Sequence, residues 1–528
     1  MAEAGPCETD AMHPEQEAAI TFLSDPASYR DVESVERQET HGNLVFLAGA
    51  EAWKVKRAVQ FAYMDFSTLE KRRVACFREV EINRRFGSDL YLGPVPITRS
   101  RSGQLAFGGD GDVIEWTVHM RRFDQAALLS HIARKAGIAK GLAADLADLV
   151  YDAHQLAQRF DPASGTTYLR SLAASIAGTL SKSAIARFDE EQLTDKLNAE
   201  ICRATSTLNA RATKGFIRRC HGDLHLDNIV VWQGRPALYD AIEFDEAIAT
   251  IDTLYDLGFL LMDLDRYGQR AAANLVLNRY LWRSGDDLDL RGLDALALFL
   301  ALRAGVRAMV IADRAAQKTS DARESDLKIA RSYLQAALAY LAPRRPELIA
   351  IGGLSGTGKS TLAGSLAPRL GSAPGAVHLR TDLERKRLAG VSEFDRLPTD
   401  AYTTEARLRV YQVLREKARW VLAAGHSAIV DAVFAEPEER RDIEAVAAQV
   451  GVPFRGLWLH AGAEKLRQRV AARRKDASDA TPEVVDRQLR VDPGPFTAQW
   501  ATIEAGGTAK RTLTSALALL TQLQRPTP

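Results

Sequence analysis

The sequence is poor in cysteine. Its 528 residues include only four cysteines, at positions 7, 76, 202 and 220, and no two of them form a Cys-x-x-Cys pair. Disulfide frameworks and structural zinc sites both need clustered cysteines, so neither is expected. A reducing compartment, the cytoplasm, is therefore predicted.

An uninterrupted hydrophobic run of membrane-spanning length is also missing. The most apolar helix-like stretch, 293–312, contains Arg303 and Arg307, which predicts a buried or amphipathic helix rather than a membrane span. The first residues, Met-Ala-Glu-Ala-Gly-Pro, have neither the basic start nor the apolar core of a secretory signal. No membrane partner is expected.

The chain carries little net charge, formally +1. Residues 347–528 hold 26 Lys and Arg against 21 Asp and Glu, and residues 1–346 hold 43 against 47. An excess of +5 suits an anionic nucleotide ligand but is well short of the basic surface of a nucleic-acid-binding domain. Nucleic acid is therefore an unlikely partner.

The hydrophobic pattern divides the chain into regions, and its length predicts two or three domains. A short helix at 14–23 lies in an N-terminal extension, 1–29. A β-rich lobe follows, with a helix at 69–86 and short strands between 92 and 120. Ala- and Leu-rich helices fill 125–215 and 255–342. The predicted first domain is 30–342.

A Pro- and Arg-rich linker, 343–347, separates that domain from a second one, 348–528. Apolar runs in the second domain alternate with helical sequence, at 348–351, 377–379, 428–430 and 456–459. This alternation predicts a parallel sheet with helices on both faces.

The segment 353–360 reads Gly-Leu-Ser-Gly-Thr-Gly-Lys-Ser and fits the P-loop pattern G-x-x-x-x-G-K-[ST] between a strand and a helix. Its glycines let backbone N–H groups wrap phosphates. Lys359 adds charge at the β- and γ-phosphates, and the Ser360 hydroxyl can ligate Mg²⁺. The predicted nucleotide-binding residues are Gly353, Ser355, Gly356, Thr357, Gly358, Lys359, Ser360 and Thr361.

Further polar residues follow the P-loop. Asp382 lies just after the second apolar run, where a carboxylate can orient or deprotonate an acceptor hydroxyl, although an Asp there can equally be a helix N-cap. Arg385 can hold the acceptor or its phosphate. Arg469 and Arg473 precede Ser-Asp-Ala at 478–480 and can also be a solvated helix face.

Taken in order, these elements resemble the gluconate kinase, chloramphenicol phosphotransferase and polynucleotide kinase group over residues 347–505. The shared features are T-D-x-x-R at 381–385, D-A-x-F at 431–434, and R-x-x-x-R before S-D-A. The resemblance implies an α/β P-loop kinase domain, with Arg469 and Arg473 on a lid helix over the phosphates.

In the first domain, residues 221–228 read His-Gly-Asp-Leu-His-Leu-Asp-Asn. The spacing of Asp223 and Asn228 is that of the phosphoryl-transfer loop in protein-kinase-like enzymes, where the Asp orients the acceptor and the Asn holds Mg²⁺. Asp240 follows the next strand and is the predicted second metal-binding carboxylate.

This loop resembles that of the aminoglycoside phosphotransferase and choline kinase group, over roughly 30–342. The resemblance implies a bilobal α+β protein-kinase-like fold and a strand lysine that a helix glutamate holds on the ATP phosphates. Lys54 is the preferred lysine, with Lys56 as the alternative. Glu79 is the preferred partner, with Glu81 as the alternative.

One family feature is missing, a glycine-rich phosphate loop near His41-Gly42-Asn43. The leading hypothesis is a bifunctional kinase that uses ATP and Mg²⁺ to phosphorylate hydroxyls of small molecules. The first alternative is a nucleotide-binding regulator with a catalytically degenerate module. The second is a polynucleotide-end kinase in the C-terminal domain. The sequence leaves the acceptors and the oligomeric state undetermined.

Overall fold

The computed structural model describes residues 14–522, with gaps at 41, 62–63, 87–88, 163, 184–186, 317, 319 and 475. Cys7, the part of the predicted extension before Pro14, and His41 lie outside the described residues. The chain divides into two compact units. The first is Met1–Gly137, Asp152–Gln158 and Arg218–Ile251, and the second is Ile138–Tyr151, Arg159–Ile217 and Asp252–Pro528. The predicted linker 343–347 therefore lies inside the second unit.

The N-terminal part of the first unit is built on an antiparallel sheet. Its elements are α1 (Pro14–Ser24), β1 (Val35–Glu39), β2 (Asn43–Ala48), β3 (Glu51–Lys56), β4 (Gln60–Phe61), β5 (Met64–Asp65), α2 (Leu69–Arg84), β6 (Tyr91–Arg99), β7 (Leu105–Phe107), β8 (Asp112–Arg121) and α3 (Leu129–Lys135). Six strands pair in the order β1-β2-β3-β8-β6-β7.

The two faces of this sheet are covered by different helices. Trp53 of β3 packs with Ile20 and Leu23 of α1. Ala52 of β3 packs on the opposite face with Val80 of α2. Because side chains alternate along a strand, the even-numbered residues of β3 all face α2.

Helix α1 is joined to the sheet by a buried polar network. Gln16 donates to the carbonyl oxygen of Lys56 at 3.0 Å and to Glu115 Oε2 at 2.7 Å. Glu115 in turn accepts from Arg72 Nε of α2 at 2.8 Å. Buried polar groups are stable only when they are paired, so this network fixes α1, β8 and α2 together.

The middle of the chain is mainly helical, with a β-hairpin between helices. Its elements are α4 (Lys140–Leu156), α5 (Thr167–Leu180), α6 (Arg187–Arg203), α7 (Thr205–Thr213), β9 (Ile217–Arg219), β10 (Ile229–Trp232), β11 (Arg235–Leu238), α8 (Glu246–Ala249), β12 (Thr250–Asp252), α9 (Thr253–Arg266), α10 (Arg270–Ser284), α11 (Asp287–Gly292), α12 (Leu296–Ala316) and α13 (Ser320–Tyr340).

Within the described residues, one stretch has the length and composition of a membrane span, Asp287–Ala316. Its most apolar window is 78% buried inside the protein, which is the burial of a core helix. Arg303 lies in that stretch and is 2% exposed.

The C-terminal part of the second unit contains a parallel sheet. Its elements are β13 (Leu348–Gly353), α14 (Lys359–Leu366), β14 (Val377–Arg380), α15 (Thr381–Leu388), α16 (Thr404–Ala423), β15 (Ala428–Asp431), α17 (Pro437–Val450), β16 (Phe454–His460), α18 (Ala463–Ala471), α19 (Pro482–Gln488), β17 (Trp500–Glu504) and α20 (Ala509–Gln522). The strand order is β14-β15-β13-β16-β17.

The P-loop strand β13 lies at the centre of this sheet. It pairs in parallel with β15 on one side and β16 on the other. Ile349 and Ile351 form a core with Leu362 and Leu366 of α14 and Leu520 of α20. In a parallel sheet the strand ends meet at one edge, so the residues after β13, β14 and β15 are brought together there.

The predicted fold class is confirmed: an α+β protein-kinase-like domain is followed by an α/β P-loop domain with a parallel sheet. Two details were wrong. Strands β6 and β8 have nine and ten residues rather than being short, because they pair with each other along most of their length. Strand β17 was not predicted, because its sequence Trp-Ala-Thr-Ile-Glu lacks an apolar run.

Candidate functional site

The P-loop connects β13 to α14 through a backbone that only glycine adopts easily. Gly353 has φ +136°, and a Cβ there would lie 2.4 Å from the carbonyl oxygen of Leu459. Gly356 has φ +87°, and its Cβ would lie 2.7 Å from the carbonyl oxygen of Leu466. These close approaches explain why the loop needs glycine at both positions.

Beside the P-loop lies a cavity of about 350 Å³. It brings together most of the residues predicted for this domain, and its lining includes Ser355, Gly356, Thr357, Gly358, Lys359, Ser360, Thr361, Asp382, Arg469 and Arg473. Gly353 is not in the lining. Asp382 is in the first turn of α15, whose N-cap residue is Arg380, so Asp382 is not the N-cap.

Burial and two carboxylates shift the pKa of Lys359 in opposite directions. Its Nζ donates to the carbonyl oxygen of Leu354 at 3.1 Å. Burial lowers the pKa of Lys359, and the charges of Asp431 and Asp382 oppose that shift. Asp431 ends β15 and is 3% exposed. Burial raises its pKa, but the hydrogen bond and charge of His378, with the charge of Lys359, bring it down to about 2.

The two predicted lid arginines occupy different positions. Helix α18 carries Arg469 but ends at Ala471, so Arg473 lies beyond it and the prediction that both are on one lid helix was wrong. Arg469 Nη1 and Nη2 donate to the carbonyl oxygens of Ala505 and Gly507, each at 2.8 Å. Arg469 therefore fixes the loop after β17, while the buried Arg473 Nη1 has no hydrogen-bond partner among the described residues.

In the first unit, the loop before β10 holds Asp223 and Asn228 together. Asn228 Nδ2 donates to Asp223 Oδ2 at 3.0 Å and to the Asp223 carbonyl oxygen at 2.9 Å. His225 Nε2 lies 3.2 Å from Asp223 Oδ2. Since its amide nitrogen is a donor to Asp223, Asn228 can ligate a cation through Oδ1.

Asp240 follows β11 and is placed beside this loop. The β10–β11 hairpin pairs Ile229 with Leu238, and the Tyr239 N–H donates to the Asn228 carbonyl oxygen at 3.1 Å. Asp240 itself has φ +60°. Its N–H donates to Tyr91 Oη at 3.0 Å, a contact that holds this unusual backbone in place.

The preferred lysine and glutamate meet in the structure. Lys54 Nζ lies 2.9 Å from Glu79 Oε1 and also contacts Asp240. Burial alone would lower the pKa of Lys54, but Asp240 and Glu79 raise it well above its usual value. Glu81 instead pairs with Arg85 at 2.7 Å on an exposed surface.

The alternative lysine, Lys56, is fully buried between two carboxylates. It lies 2.5 Å from Glu79 Oε2 and also contacts Glu243. Burial lowers its pKa, and Glu243 and Glu79 together raise it above the usual value. Burial would raise the pKa of Glu79, but Lys54 and Lys56 lower it to about 2. Glu79 thus serves both lysines.

A second cavity, of about 380 Å³, lies in the first unit between the β2–β3 turn and the segment after β8. Leu47, Gly49, Arg122 and Phe123 are among its lining residues. None of the predicted site residues lines it.

A relative from Mycobacterium tuberculosis (strain ATCC 25618 / H37Rv), the uncharacterized protein Rv2004c, is 30% identical over 463 residues, which cover 85% of this chain and 88% of the relative. The chain belongs to the Rv2004c family. Residues 348–493 also match the family described as AAA domain.

Two solved structures are similar to different parts of this chain. A gluconokinase from Sinorhizobium meliloti 1021 is 20% identical, with a TM-score of 0.26, and covers 34% of this chain and 95% of its own. A choline/ethanolamine kinase family protein from Mesorhizobium loti is 14% identical, with a TM-score of 0.37, and covers 62% and 98%. Both scores are low, so the fold assignment depends on the strand order and motifs. By those, the chain has a protein-kinase-like fold in its N-terminal part and a P-loop fold with a parallel sheet in its C-terminal part.

Several residues at these sites were not predicted. Asp431 received no role, although its position at the end of an apolar run was visible in the sequence; that its strand pairs with β13 was not. Glu243, which contacts Lys56 in the interior, was not among the predicted site residues. Gln488 of α19, whose Oε1 accepts from the Ser355 N–H of the P-loop at 2.8 Å, has no sequence signal because glutamines are common on helix surfaces.

Proposed function

We propose that the chain is a two-site kinase, in which each half transfers the γ-phosphoryl group of Mg-ATP to a hydroxyl of a small molecule. The observation that carries this proposal is the cavity of about 350 Å³ in which Lys359, Ser360, Asp382 and Arg473 line one space. Phosphoryl transfer needs phosphate-binding cations, a metal ligand and an acceptor-orienting carboxylate at one place, and this cavity contains all three.

In the P-loop site each residue has a separate task. Backbone N–H groups of the P-loop and Lys359 would bind the phosphates, and Ser360 and Asp431 offer the oxygen ligands that Mg²⁺ prefers. When bound, the metal would neutralise phosphate charge. Asp382 would orient the acceptor hydroxyl and take its proton, and Arg473 would stabilise charge on the transferred group.

In the first unit, the same chemistry would come from different elements. Lys54, held by Glu79, would bind the α- and β-phosphates, and Asn228 and Asp240 would hold Mg²⁺ through oxygen atoms. Asp223 would orient the acceptor hydroxyl. The hydrogen bond from Asn228 to Asp223 supports this assignment, because it joins the metal-binding and acceptor-binding residues in one loop.

The test is a screen of a metabolite extract for ATP-dependent phosphorylation, with the wild type, Asp223→Asn, Lys359→Ala and the double variant compared in parallel. The expected result is two sets of products, one lost with each single variant and both lost in the double variant. Products that persist in the double variant would contradict the proposal.

A specific observation favours one alternative for the first unit, a nucleotide-binding module without transfer. Gly42 is the only glycine in the sequence between positions 38 and 48, so the glycine-rich loop that covers the ATP phosphates in protein kinases is missing here. The screen separates the two functions, since a degenerate module gives no product that depends on Asp223.

A further inference from the structure

Strand β14 is an edge strand of the parallel sheet, and helix α10 covers its outer side. In the order β14-β15-β13-β16-β17, β15 is the only described strand that pairs with it. An edge strand leaves N–H and C=O groups without strand partners. Here two asparagine side chains bind them: Asn274 Nδ2 donates to the Ala376 carbonyl oxygen at 3.0 Å, and Asn278 Oδ1 accepts from the His378 N–H at 2.6 Å.

These asparagines belong to one stripe of α10, which we call the α10 stripe: Asn274, Asn278 and Trp282, four residues apart. Residues at that spacing lie on one face of a helix. Trp282 Nε1 lies 3.4 Å from the carbonyl oxygen of Leu383 on α15. The α10 stripe therefore contacts both β14 and the helix that carries Asp382.

The backbone before β14 packs tightly against the α10 stripe, at a position that requires glycine. Gly375 precedes β14, and a Cβ there would lie 2.9 Å from Asn274 Nδ2 and 2.3 Å from the Ala367 carbonyl oxygen. Beside the stripe, Arg279 Nη1 pairs with Glu393 at 2.9 Å, and its other nitrogens donate to Asp148 at 2.7 Å.

From β14 the contacts continue to the P-loop site. The N–H of His378 is the group that Asn278 holds, and His378 Nε2 lies 3.3 Å from Asp431 Oδ2. Thr381 Oγ1 donates to the Asp431 carbonyl oxygen at 3.2 Å. Asp382 follows directly. A displacement of β14 would therefore move His378, Asp382 and the hydrogen bonds of Asp431 together.

We propose that Asn278 is a positioning residue of the P-loop phosphotransfer site, which acts through His378 on Asp431 and through β14 on Asp382. This inference rests on the proposed kinase function of that site. It assigns to a helix outside the P-loop domain a part in the chemistry of that domain. Misplacement of reacting groups by about 1 Å costs up to roughly a hundredfold in rate.

The test uses the full chain with Asp223→Asn as background, and Mg-ATP hydrolysis as the probe. Asn278→Ala is expected to lower kcat by roughly tenfold to a hundredfold while KM for ATP changes by less than about twofold. Asn278→Gln, which keeps the amide, is expected to recover part of kcat. The matched control is Asn209→Ala, which removes another asparagine bond to backbone in the same unit, 3.0 Å from the Gly165 N–H.

Rates are measured at a temperature at which circular dichroism shows that every variant is folded. A fall in kcat then cannot be caused by unfolding. His378→Ala and Asn278→Ala should be non-additive in kcat, because they act along one path. A wild-type kcat in Asn278→Ala, or an equal fall in Asn209→Ala, would overturn the inference and leave the proposed function intact. Absence of any ATP turnover that depends on Lys359, whether hydrolysis or transfer in the metabolite extract, would overturn both.

Discussion

Lys54 and Lys56 show how two identical side chains on one strand come to lie in different surroundings. Both face α2 and both contact Glu79. Lys54 also contacts Asp240, whose side chain is 42% exposed, whereas Lys56 contacts Glu243, whose side chain is 6% exposed. Lys54 therefore lies beside a solvent-accessible carboxylate, and Lys56 lies in the interior.

The two lysines should separate by experiment. Lys56→Met leaves Glu79 and Glu243 buried with less compensating charge, so we expect a loss of roughly 3–5 kcal/mol in unfolding free energy. Lys54→Met leaves Glu79 paired with Lys56, so we expect a smaller loss of stability and a larger loss of ATP affinity. Denaturant unfolding and nucleotide titration of both variants, in the Lys359→Ala background, measure this. If the two variants lost equal unfolding free energy and equal ATP affinity, the distinction between Lys54 and Lys56 would be contradicted.

We expect Asp382 to act in phosphoryl transfer and not in ATP binding at the P-loop site. It lines the cavity and its Oδ1 lies 3.6 Å from Arg385 Nη1, but it makes no N-cap bond to α15. Asp382→Asn should leave ATP affinity nearly unchanged and lower transfer by roughly 10²–10⁴-fold, the usual effect of losing a general base. The rate is measured in the Asp223→Asn background, and full turnover would exclude the role.

At the scale of elements, the turn between α16 and β15 is packed against the segment that enters β13. Arg344 Nη1 donates to the carbonyl oxygen of Ala424 at 3.2 Å, and its Nη2 pairs with Glu200 at 2.7 Å. His426 in that turn is 1% exposed. Burial, with the charge of Arg344, lowers the pKa of His426 to about 4.

This turn should make the second unit sensitive to acid. The folded-state pKa of His426, about 4, lies below the ordinary value of 6.5, so the unfolded state binds more protons between these values. The contribution of neutral His426 is therefore complete above pH 6.5 and is lost as the pH falls toward 4, by about 3 kcal/mol.

The measurement is the unfolding free energy of the wild type and of His426→Gln between pH 7 and pH 4.5. The difference between the two proteins should shrink as the pH falls, because glutamine does not titrate. Only this difference is compared, since carboxylates elsewhere titrate equally in both. A constant difference over the range would contradict the assignment.

At the scale of the whole molecule, the compact units do not follow the order of the chain. The helices α5–α7 and α9–α13 belong to the same unit as the P-loop domain. Contacts of the α10 stripe with β14 and of Arg344 with Glu200 join those helices to that domain. A fragment that begins at the linker would lose both of these groups of contacts.

We therefore expect the fragment 343–528 to be less stable than the same region in the full chain. Its edge strand β14 would lose its covering side chains, so concentration-dependent association is also expected. Thermal unfolding with and without Mg-ATP identifies the P-loop transition in each protein, because a ligand stabilises the domain that binds it. A monomeric fragment with an unchanged transition temperature would contradict this expectation.

The sequence by itself determined the elements whose signal is local. The P-loop depends on the backbone freedom of three glycines and on the strand and helix that flank it. All of these features come from one short, continuous segment of sequence. Likewise, the five-residue spacing of Asp223 and Asn228 fixes them in one loop. Both fold types could therefore be predicted without coordinates.

Only the tertiary structure decided the contacts between residues far apart in sequence. Packing decided that Lys54 rather than Lys56 contacts Asp240. It also placed Asp431 near His378 and the charge of Lys359, and it placed the α10 stripe against β14. The asparagine stripe at 274 and 278 was present in the sequence, but an amide on a helix has no preferred partner until a strand edge with unpaired N–H and C=O groups is placed against it.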